Sequence, residues 1–332
     1  MTAQPTTFIT GATGFVGAAV ARTLIAQGHR LRVLSRPRND RRNLEGLDVE
    51  VIEGDLAKPE TYQEALKGCQ ALFHVAADYR IWVPNPEAMN RINIDGTKAL
   101  LMAAMQAGIE RIVYTSSVAT LGKTDDGSPA DETTAVTFED MVGVYKKSKY
   151  LAEEEVQKLV RLHQCPVVIV NPSTPIGPRD IKPTPTGRII VDAVKGLIPA
   201  YIDTGLNVAH VDDVARGHWL AFERGKIGER YILGGENLSL GEILTLVAEM
   251  VGRPAPTIKL SRELIYPIAI GAEFFARMTG KEPFVTIDAL RMAKKKMFFS
   301  TTKAERDLGY TSRPGQQAIA DAIKWFRTNH YC

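Results

Sequence analysis

Short apolar runs alternate with helical patterns through the first half of the chain. Most of these runs are separated by stretches long enough for a connecting helix. Apolar strands joined by helices pair in parallel, and right-handed connections cover both faces of the sheet. The sequence therefore predicts an α/β fold with a doubly wound parallel sheet. The predicted strands are TFIT, RLRVLS, VEVIEGD, ALFHVAA, RIVYTSS and PVVIVNP, and the predicted helices are FVGAAVARTLIAQG, ETYQEALKG, residues 87–107 and a helix opened by Tyr145.

A glycine triplet joins the first predicted strand to the first predicted helix, in FITGATGFVGAAV. Glycine at these positions allows a tight turn, close approach of a pyrophosphate to the backbone, and tight packing of the helix on the strand. The start of the helix then presents free N–H groups and the positive end of its dipole to the phosphates. We interpret this loop as a dinucleotide site in a Rossmann-type sheet. The predicted contacts are Gly11, Thr13, Gly14, Phe15, Val16 and Gly17.

The end of the second predicted strand indicates which dinucleotide is bound. A carboxylate at this position would bind a ribose 2′-hydroxyl and favour NAD, but VLSRPRNDRR instead carries Arg36 at the tip, with Arg38 close behind. Arginine suits a 2′-phosphate, so the sequence favours NADP over NAD. A solvated basic loop is the other interpretation for Arg38, Arg41 and Arg42.

Three further residues follow predicted strands and are expected to contact the cofactor. Asp55 and Leu56 come just after the third strand and are predicted to accept from and donate to the adenine. The other interpretation of Asp55 is an N-cap of the next predicted helix. Ala76, near the end of the fourth predicted strand, is also expected to contact the cofactor.

One tyrosine is followed four residues later by a lysine, in VGVYKKSKYLAEEE. On a helix this spacing brings Lys149 beside the phenol of Tyr145, whereas Lys146, Lys147 and the acids after them are expected in solvent. Bringing a phenol from a pKa of about 10 to about 7 takes roughly 4 kcal/mol. One ammonium at about 5 Å supplies roughly 3 kcal/mol at an effective dielectric constant near 20. The pair therefore predicts a general acid–base, although it could also be an ordinary pair on an amphipathic helix.

Three hydroxyl residues end the fifth predicted strand, in RIVYTSSVATLG. Ligands of open parallel sheets bind at the carboxyl ends of the strands, so one of these hydroxyls is expected to hold the oxygen on which Tyr145 acts. Ser117 is the first choice. Ser116 and Thr115 are the alternatives, because adjacent side chains of a strand point to opposite faces.

Together these motifs resemble the extended short-chain dehydrogenase/reductase family, of the NAD-dependent epimerase/dehydratase type. The motifs that carry the resemblance are TGATGFVG, YTSSVATLG and YKKSK, and the supporting matches are NIDGT, NPSTPIGPRD and HVDDVA. More narrowly, LFHVAADYRIWVP and NPSTPIGPRDIKPTPTGRIIVDA are similar to the hopanoid-associated sugar epimerase subgroup, close to dihydroflavonol-reductase-like carbonyl reductases.

The resemblance implies a role for each matching residue. Tyr145 would be the acid–base, Lys149 would hold the nicotinamide ribose and lower the tyrosine pKa, and Ser117 would bind the reacting oxygen. Asn93 would organise the site from its helix, and Pro172 would border the nicotinamide. Asn93 could otherwise be a cap within its helix, and Pro172 an ordinary strand terminator. The resemblance also implies a homodimer joined through the helices over 87–107 and 145–163.

One departure from the family pattern narrows the reaction. Sugar 4,6-dehydratases of this family carry an Asp–Glu pair where this chain has Val118 and Ala119, which argues against dehydration. The arginine at the second strand fits a reductase better than an epimerase that keeps NAD bound. The expected step is hydride transfer at a carbinol or carbonyl carbon. A sugar-type epimerase linked to hopanoid metabolism, an NADPH-dependent carbonyl reductase and a non-catalytic nucleotide-binding protein are the three interpretations.

The strand pattern weakens after Asn171. A proline-rich segment over 171–187 predicts a loop, residues 206–225 predict a strand and helix that return to the sheet, and residues from Leu238 on are mostly helical in pattern. We expect an NAD(P)-binding domain over 1–175 and about 206–233, and a smaller, mostly helical substrate lobe over about 176–205 and 234–332. The predicted substrate contacts are Asp78, Tyr79, Trp82, Lys182 and Arg188, which could equally be solvated loop residues.

Composition excludes several other classes of protein. A net charge of +3 is too small to indicate nucleic acid, and no apolar stretch is long enough for a membrane span. Three widely spaced cysteines and six scattered histidines predict neither disulfides nor a metal site. With no signal-peptide pattern, a cytoplasmic enzyme with a small-molecule substrate is expected. The segment LIYPIAIGAEFFARMTG could lie on a membrane surface, but core packing in the C-terminal lobe is the favoured interpretation.

Overall fold

The structure is a computed structural model that describes residues 4–80, 83, 85–124, 126–279, 283, 285–294 and 296–332. Its strands, in chain order, are β1 Thr6–Thr10, β2 Arg30–Ser35, β3 Val49–Glu53, β4 Ala71–His74, β5 Arg111–Thr115, β6 Val167–Pro172, β7 Thr174–Ile176, β8 Ala200–Ile202, β9 Gly205–His210, β10 Arg230–Leu233, β11 Glu236–Ser239 and β12 Ile258–Leu260. Its α-helices are α1 Phe15–Ala26, α2 Pro86–Asn90, α3 Thr97–Gln106, α4 Gly143–His163, α5 Pro185–Lys195, α6 Val211–Arg224, α7 Leu240–Val251, α8 Arg262–Thr279, α9 Ile287–Met292, α10 Thr302–Leu308 and α11 Gly315–Thr328.

Seven of these strands form one sheet in the order β3-β2-β1-β4-β5-β6-β10, and every pair in it is parallel. The order reverses between β1 and β4, which register Thr10 against His74. Parallel strands bring their carboxyl ends to one edge, and the reversal opens a crevice there. The predicted doubly wound parallel sheet is confirmed.

The core lies on both faces of this sheet because the buried side chains of each strand alternate. Ile9 of β1 packs into a cluster with α1 and α6, whereas its neighbour Phe8 packs into a second cluster with α3 and α4. Near-continuous apolar strands are what a sheet covered on both faces requires. The glycine loop, the hydroxyl residues after β5 and the start of α4 are thereby brought to the same edge.

The second lobe contains two small sheets and most of the later helices. Strands β11, β9 and β7 form one sheet, β12 pairs with β8, and α5, α7 and α11 share an apolar cluster. This agrees with the predicted helical C-terminal lobe. The prediction that the strand over 206–210 returns to the main sheet is wrong. The edge of β6 is taken by β10, which registers Ile232 against Asn171, so β9 pairs outside that sheet.

Two predicted helices differ in detail. The segment ETYQEALKG forms two short 3₁₀ turns, Pro59–Thr61 and Gln63–Leu66, instead of an α-helix. The Thr61 hydroxyl donates to the Lys58 carbonyl and accepts from the Asp55 N–H, and such local bonds compete with helix formation. The predicted helix over 87–107 is present, but a π-helical stretch, Arg91–Gly96, separates α2 from α3. Among the described residues, no helix is both long enough and apolar enough to cross a bilayer.

Candidate active site

The glycine loop between β1 and α1 is shaped so that side chains would not fit. Gly11 has a φ of +78°, and a Cβ there would lie 2.6 Å from the backbone nitrogen of Ala76. A Cβ on Gly17 would lie 2.1 Å from the Gly11 carbonyl oxygen. Helix α1 starts after Gly14 with no side-chain cap and no acid in its first turn. Its first N–H groups and positive dipole end therefore suit a phosphate, as the sequence predicts.

Two asparagines outside the set of predicted contacts form hydrogen bonds with this loop. Asn39 donates to the Thr13 hydroxyl at 2.7 Å, and Asn43 donates to the Thr13 carbonyl at 3.2 Å. Asn43 also donates to the carbonyl of Arg179 at 3.1 Å, which ties the loop to the proline-rich segment. Phe15 and Val16 are half-buried against the core beneath the loop. No local motif marks either asparagine, because their contacts depend on the fold.

The arginines after β2 separate into two pairs. Arg41 lies 2.5 Å from Glu53 and Arg42 lies 2.8 Å from Asp40, so both belong to surface ion pairs. Arg36 and Arg38 are exposed at the end of β2, with no ion pair among the residues that the structure describes. The solvated-loop interpretation therefore fits Arg41 and Arg42 better than it fits Arg36.

The remaining predicted cofactor contacts lie at neighbouring strand ends. The Asp55 carboxylate accepts from the Ala57 N–H at 3.0 Å just after β3, in a tight turn rather than at an α-helix N-cap. Leu56 is buried, and a Cβ on Gly96 would lie only 3.0 Å from its Cγ. Ala76 donates to the Thr10 hydroxyl at 3.1 Å. Pro172 is the last residue of β6, at the same edge of the sheet.

The three hydroxyls after β5 point in different directions. Thr115 forms a hydrogen bond with His218 at 2.9 Å on one face of the sheet, and Ser116 donates to the buried carboxylate of Glu153. Both hydroxyls therefore already have buried hydrogen-bond partners within the protein. Ser117 starts a short 3₁₀ turn, in which its hydroxyl accepts from the Ala119 N–H at 3.1 Å.

Ser117 is also the hydroxyl that reaches Tyr145. Tyr145 is half-buried in the first turn of α4, and its contact with the Ser117 hydroxyl lowers its pKa. Burial acts more strongly in the opposite direction, so the net effect is a pKa above the usual value for a phenol. Within the protein alone, Tyr145 is therefore protonated at neutral pH, and it is a weaker acid than a phenol in water.

Lys149 is buried one helical turn after Tyr145. Its ammonium donates to the Tyr114 hydroxyl at 3.1 Å and to the Thr115 carbonyl at 2.9 Å, and lies 4.8 Å from the centre of the Tyr114 ring. Burial lowers the pKa of Lys149 to about 8, and Glu153 opposes the shift. The prediction that this ammonium acts on the pKa of Tyr145 needs correction, because its contacts are with Tyr114 and Thr115 and burial dominates at the phenol.

Glu153 is the central buried carboxylate behind the site. It accepts from Ser116, Thr120 and Asn171, and it pairs with Arg230 at 3.1 Å. These partners belong to the ends of β5 and β6 and to β10, so one side chain of α4 joins three strands. The expectation that the acids after Tyr145 continue an exposed face is wrong for Glu153. Its spacing of four residues from Lys149 was the available signal, hidden within a run of three acids.

Lys146 is buried as well, with 6% of its surface exposed, so the prediction that it is solvated is wrong. Burial and the nearby Lys123 lower its pKa to about 7. Residues 146, 149 and 153 lie three and seven positions apart, on the stripe of α4 that faces the sheet. Lys147 points outward as predicted, with its ammonium 5.6 Å from the centre of the Phe138 ring.

Asn93 lies in the π-helical stretch between α2 and α3. Its side-chain oxygen accepts from the Asp78 N–H at 2.8 Å, while its amide donates to the Asp78 carbonyl at 2.9 Å and to Ser148 at 3.0 Å. It therefore does not cap its own helix; it joins the segment after β4 to α4, beside Tyr145 and Lys149. π-Helical turns are often found at functional sites, where they redirect one side chain.

A buried histidine supports the same edge of the sheet. His74 ends β4 and forms hydrogen bonds with Thr10 at 2.7 Å and Thr97 at 2.9 Å. Burial, aided by the charge of Lys149, lowers its pKa to about 3, so the ring is neutral. His74 could not be selected from the sequence, because a lone histidine in an apolar strand has no motif around it.

Asp78, Tyr79 and Lys182 are three of the predicted substrate contacts that the structure describes. Asp78 pairs with Arg80 at 2.5 Å, and Tyr79 is exposed beside it. Lys182 is exposed, and its charge acts with Arg42 to hold the pKa of Asp40 at about 2. Lys182 therefore lies toward the loop after β2.

Two predicted substrate contacts remain, together with the metal prediction. Arg188 is exposed on α5, and Trp82 lies outside the described residues. In the part of the chain that the structure describes, no three His, Cys, Asp or Glu side chains are grouped to hold a metal.

The strand order, the glycine loop after the first strand and the Ser–Tyr–Lys group beyond the fifth define a dinucleotide-binding α/β enzyme fold. A family model described as the NAD dependent epimerase/dehydratase family matches residues 7–234. The chain belongs to this family, and so to the NAD(P)-dependent enzymes of the extended short-chain dehydrogenase/reductase type.

Known proteins are similar over almost the full length of the chain. A Synechocystis protein with the provisional name dihydroflavonol 4-reductase is 45% identical over 98% of this chain and 95% of its own. Sterol demethylase protein B of Methylococcus capsulatus is 33% identical over 97% and 98% of the two chains. The crystal structure of gox2253 is 56% identical, with a TM-score of 0.89 over 98% of this chain and 99% of that one.

Proposed function

We propose that the protein is an NADP-dependent carbonyl reductase in which Tyr145 is the proton donor. The observation that carries this proposal is the placing together of Ser117 and Tyr145, with Lys149 one helical turn further on, at the carboxyl edge of the sheet where the glycine loop also lies. The NAD(P)-binding domain would comprise residues 1–175 and about 211–233, because β9 pairs outside the main sheet, with the substrate lobe formed by the rest. When bound, the cofactor supplies the hydride to the carbonyl carbon.

The chain's own residues would complete the reaction at the carbonyl oxygen. Ser117 donates a hydrogen bond to that oxygen, and the phenol of Tyr145 delivers its proton as the alcohol forms. Tyr145 holds its proton at neutral pH, as a proton donor must, although burial raises its pKa and the contact with Ser117 lowers it only in part. Lys149, fixed by Tyr114 and the Thr115 carbonyl, would hold the ribose hydroxyls beside the site.

Replacing the proton donor tests this mechanism directly. Tyr145→Phe should lower kcat/KM for carbonyl reduction by about a thousandfold, which lies within the usual range for loss of a general acid. NADPH affinity, followed by fluorescence titration, should stay within about twofold because the ring remains in place. Tyr150→Phe, five residues later on the same helix, is the matched control and should keep full activity. A Tyr145→Phe enzyme as active as the wild type would refute the mechanism.

The choice of NADP is supported by Arg36, which is exposed at the tip of β2 with no ion pair among the described residues. Arg36→Ala should reduce the preference for NADPH over NADH about tenfold, the value expected for one charged hydrogen bond to a phosphate. Arg42→Ala is the control, because Arg42 already pairs with Asp40 at 2.8 Å. An unchanged preference in Arg36→Ala would leave NADP without its proposed anchor.

A sugar epimerase linked to hopanoid metabolism is the second candidate, favoured by the epimerase/dehydratase family match. The two outcomes differ in cofactor balance. A reductase consumes one NADPH for each carbonyl reduced, whereas an epimerase returns the hydride and turns over without added cofactor. Mass spectrometry of the purified protein would show whether a dinucleotide is retained. A wild-type protein that binds NADPH but shows neither reaction would favour a non-catalytic role.

The surroundings of the enzyme are also part of this proposal. We infer a cytoplasmic location and a homodimer in which α3 and α4 of each protomer pack together, as the family resemblance implies. Both helices carry exposed apolar side chains, Met102 on α3 and Leu162 on α4. Light scattering of the purified protein would give the number of protomers, and Leu162→Glu should weaken a dimer built on α4.

A further inference from the structure

The outer face of α8 is apolar. Six large side chains on this helix are largely exposed: Leu264 70%, Ile268 53%, Ile270 53%, Phe274 67%, Phe275 64% and Met278 72%. At about 100° of rotation per residue, all six lie within an arc of about 160°. The favoured expectation that this segment packs in the core of the C-terminal lobe is therefore wrong for these six residues.

The inner side of α8 shows why the apolar side chains point outward. The helix rests on the protein through Ala269 and Ala276, which are buried. Glu273 accepts from the Ile287 N–H at 2.7 Å, and the Tyr266 hydroxyl accepts from Arg291 at 3.2 Å. The inward stripe is thus small and polar. A surface helix usually turns its apolar side toward the core, whereas α8 turns its apolar side outward.

The exposed apolar surface is large. At about 200 Å² for each large side chain, the six residues expose roughly 700 Å², whereas the largest apolar patch of a typical monomer covers about 300–600 Å². Ile258 and Leu260 of β12, directly before the helix, are exposed too. Patches of this size indicate a partner or a membrane.

The net charge of the segment that contains this surface distinguishes a protein partner from a membrane. Residues 253–296 contain nine Lys or Arg and four Asp or Glu, a net charge of +5, whereas the whole chain carries only +3. Lys259 is exposed between the two apolar residues of β12, and Arg262 starts α8. A second copy of this chain would bring the same positive charge to the contact. An anionic bilayer brings the opposite charge.

We propose that α8 and β12 form a docking surface for an anionic phospholipid membrane. The helix lies in the plane of the interface, with its six apolar side chains among the upper acyl chains and with Lys259 and Arg262 at the headgroups. Docking of this kind is peripheral and reversible. It would bring the substrate lobe, to which both elements belong, against the bilayer.

Sedimentation with lipid vesicles tests this proposal on the full chain. The wild-type protein should bind vesicles of equal parts phosphatidylcholine and phosphatidylglycerol, bind phosphatidylcholine alone more weakly, and lose binding as salt rises. Phe274→Ser/Phe275→Ser should reduce vesicle affinity about tenfold or more, because two aromatic rings no longer insert. Its NADPH affinity and thermal midpoint should remain those of the wild type.

A matched pair of isoleucines provides the control. Ile268 of α8 and Ile227, in the loop before β10, are 53% and 52% exposed. Ile268→Ser should weaken vesicle binding and Ile227→Ser should not, which keeps the test valid if the double variant folds poorly. No vesicle binding by the wild type, or equal effects of the two isoleucine variants, would overturn the proposal. So would concentration-dependent self-association that disappears in Ile268→Ser, because a second copy would then cover the face.

Discussion

Helices α4 and α8 both depart from the usual separation of an apolar interior from a charged surface, and they do so in opposite directions. On α4, the charged side chains of Lys146, Lys149 and Glu153 are buried. On α8, large apolar side chains such as Phe274 and Met278 face outward. Each helix continues its pattern over several turns, so neither departure is an isolated residue.

The difference lies in what each helix faces. The buried groups of α4 are satisfied by strand ends: Glu153 has four partners, and Lys149 is held by Tyr114 and a backbone carbonyl. A buried charge is costly unless such contacts offset it, so these residues fix the geometry around Tyr145. The apolar residues of α8 meet no comparable cover within the described chain. The buried charges therefore support the proposed chemistry at Tyr145, and the exposed apolar face supports the proposed docking surface.

The largest effect is expected at the centre of the α4 network. Glu153→Gln removes the charge that pairs with Arg230, and breaking a buried ion pair typically costs about 3 kcal/mol of unfolding free energy or more. Because Glu153 raises the pKa of Lys149, the variant should also lose charge on Lys149 at a lower pH than the wild-type value of about 8. Urea unfolding and the pH profile of turnover measure the two effects.

The neighbouring acid on the same helix provides the control. Glu154 is exposed, so Glu154→Gln should change the unfolding free energy by less than about 0.5 kcal/mol. Equal stability of the two glutamine variants would contradict the view that the buried contacts of Glu153 stabilise the fold.

Replacement of Lys146 should change the stability in the opposite direction, by raising the unfolding free energy. In the unfolded chain it holds a proton up to its ordinary pKa of 10.5, but in the folded protein only up to about 7. Between these values the unfolded state binds more protons, so this residue destabilises the fold increasingly as the pH falls from about 10 to 7. Lys146→Met should therefore be more stable than the wild type at pH 7, by about 2 kcal/mol, and the gain should shrink toward pH 10.

Urea unfolding of Lys146→Met at both pH values checks this prediction. Lys147→Met, at the exposed neighbour, should show no such pH-dependent gain. If Lys146→Met is less stable than the wild type at pH 7, the ammonium must make a favourable contact. Burial of Lys146 would then not destabilise the fold.

The smallest stability effect is expected on α8. Phe274→Ser/Phe275→Ser should change the unfolding free energy by less than about 0.5 kcal/mol for each ring, because both rings are already exposed. Phe326→Ser, at a buried position of α11 in the same lobe, should cost about 3 kcal/mol or more. Comparable losses from the two phenylalanine sets would show that α8 is covered, and that the contrast between the helices is false.

The parts of the protein that follow from local geometry were accessible from the sequence. The spacing of Gly11, Gly14 and Gly17 prescribes the turn into α1, and it is present with the expected close approaches. The apolar strands prescribe a sheet covered on both faces, and the interval between Tyr145 and Lys149 puts them one turn apart. These features depend on residues close together in the chain, so their spacing is sufficient.

Only the tertiary structure decided which face of each element is covered. The sequence marked residues 264–280 as apolar but not the direction of their apolar face, and it placed Lys146 and Glu153 in solvent although both are buried. The sequence likewise made Ser117 the first choice and left Thr115 and Ser116 as alternatives, and only the structure showed that His218 and Glu153 bind those two hydroxyls. The physical reason is the same in each case. The groups that bury a side chain or bond to it come from segments far apart in the chain. A local pattern does not show which of these segments will pack against it.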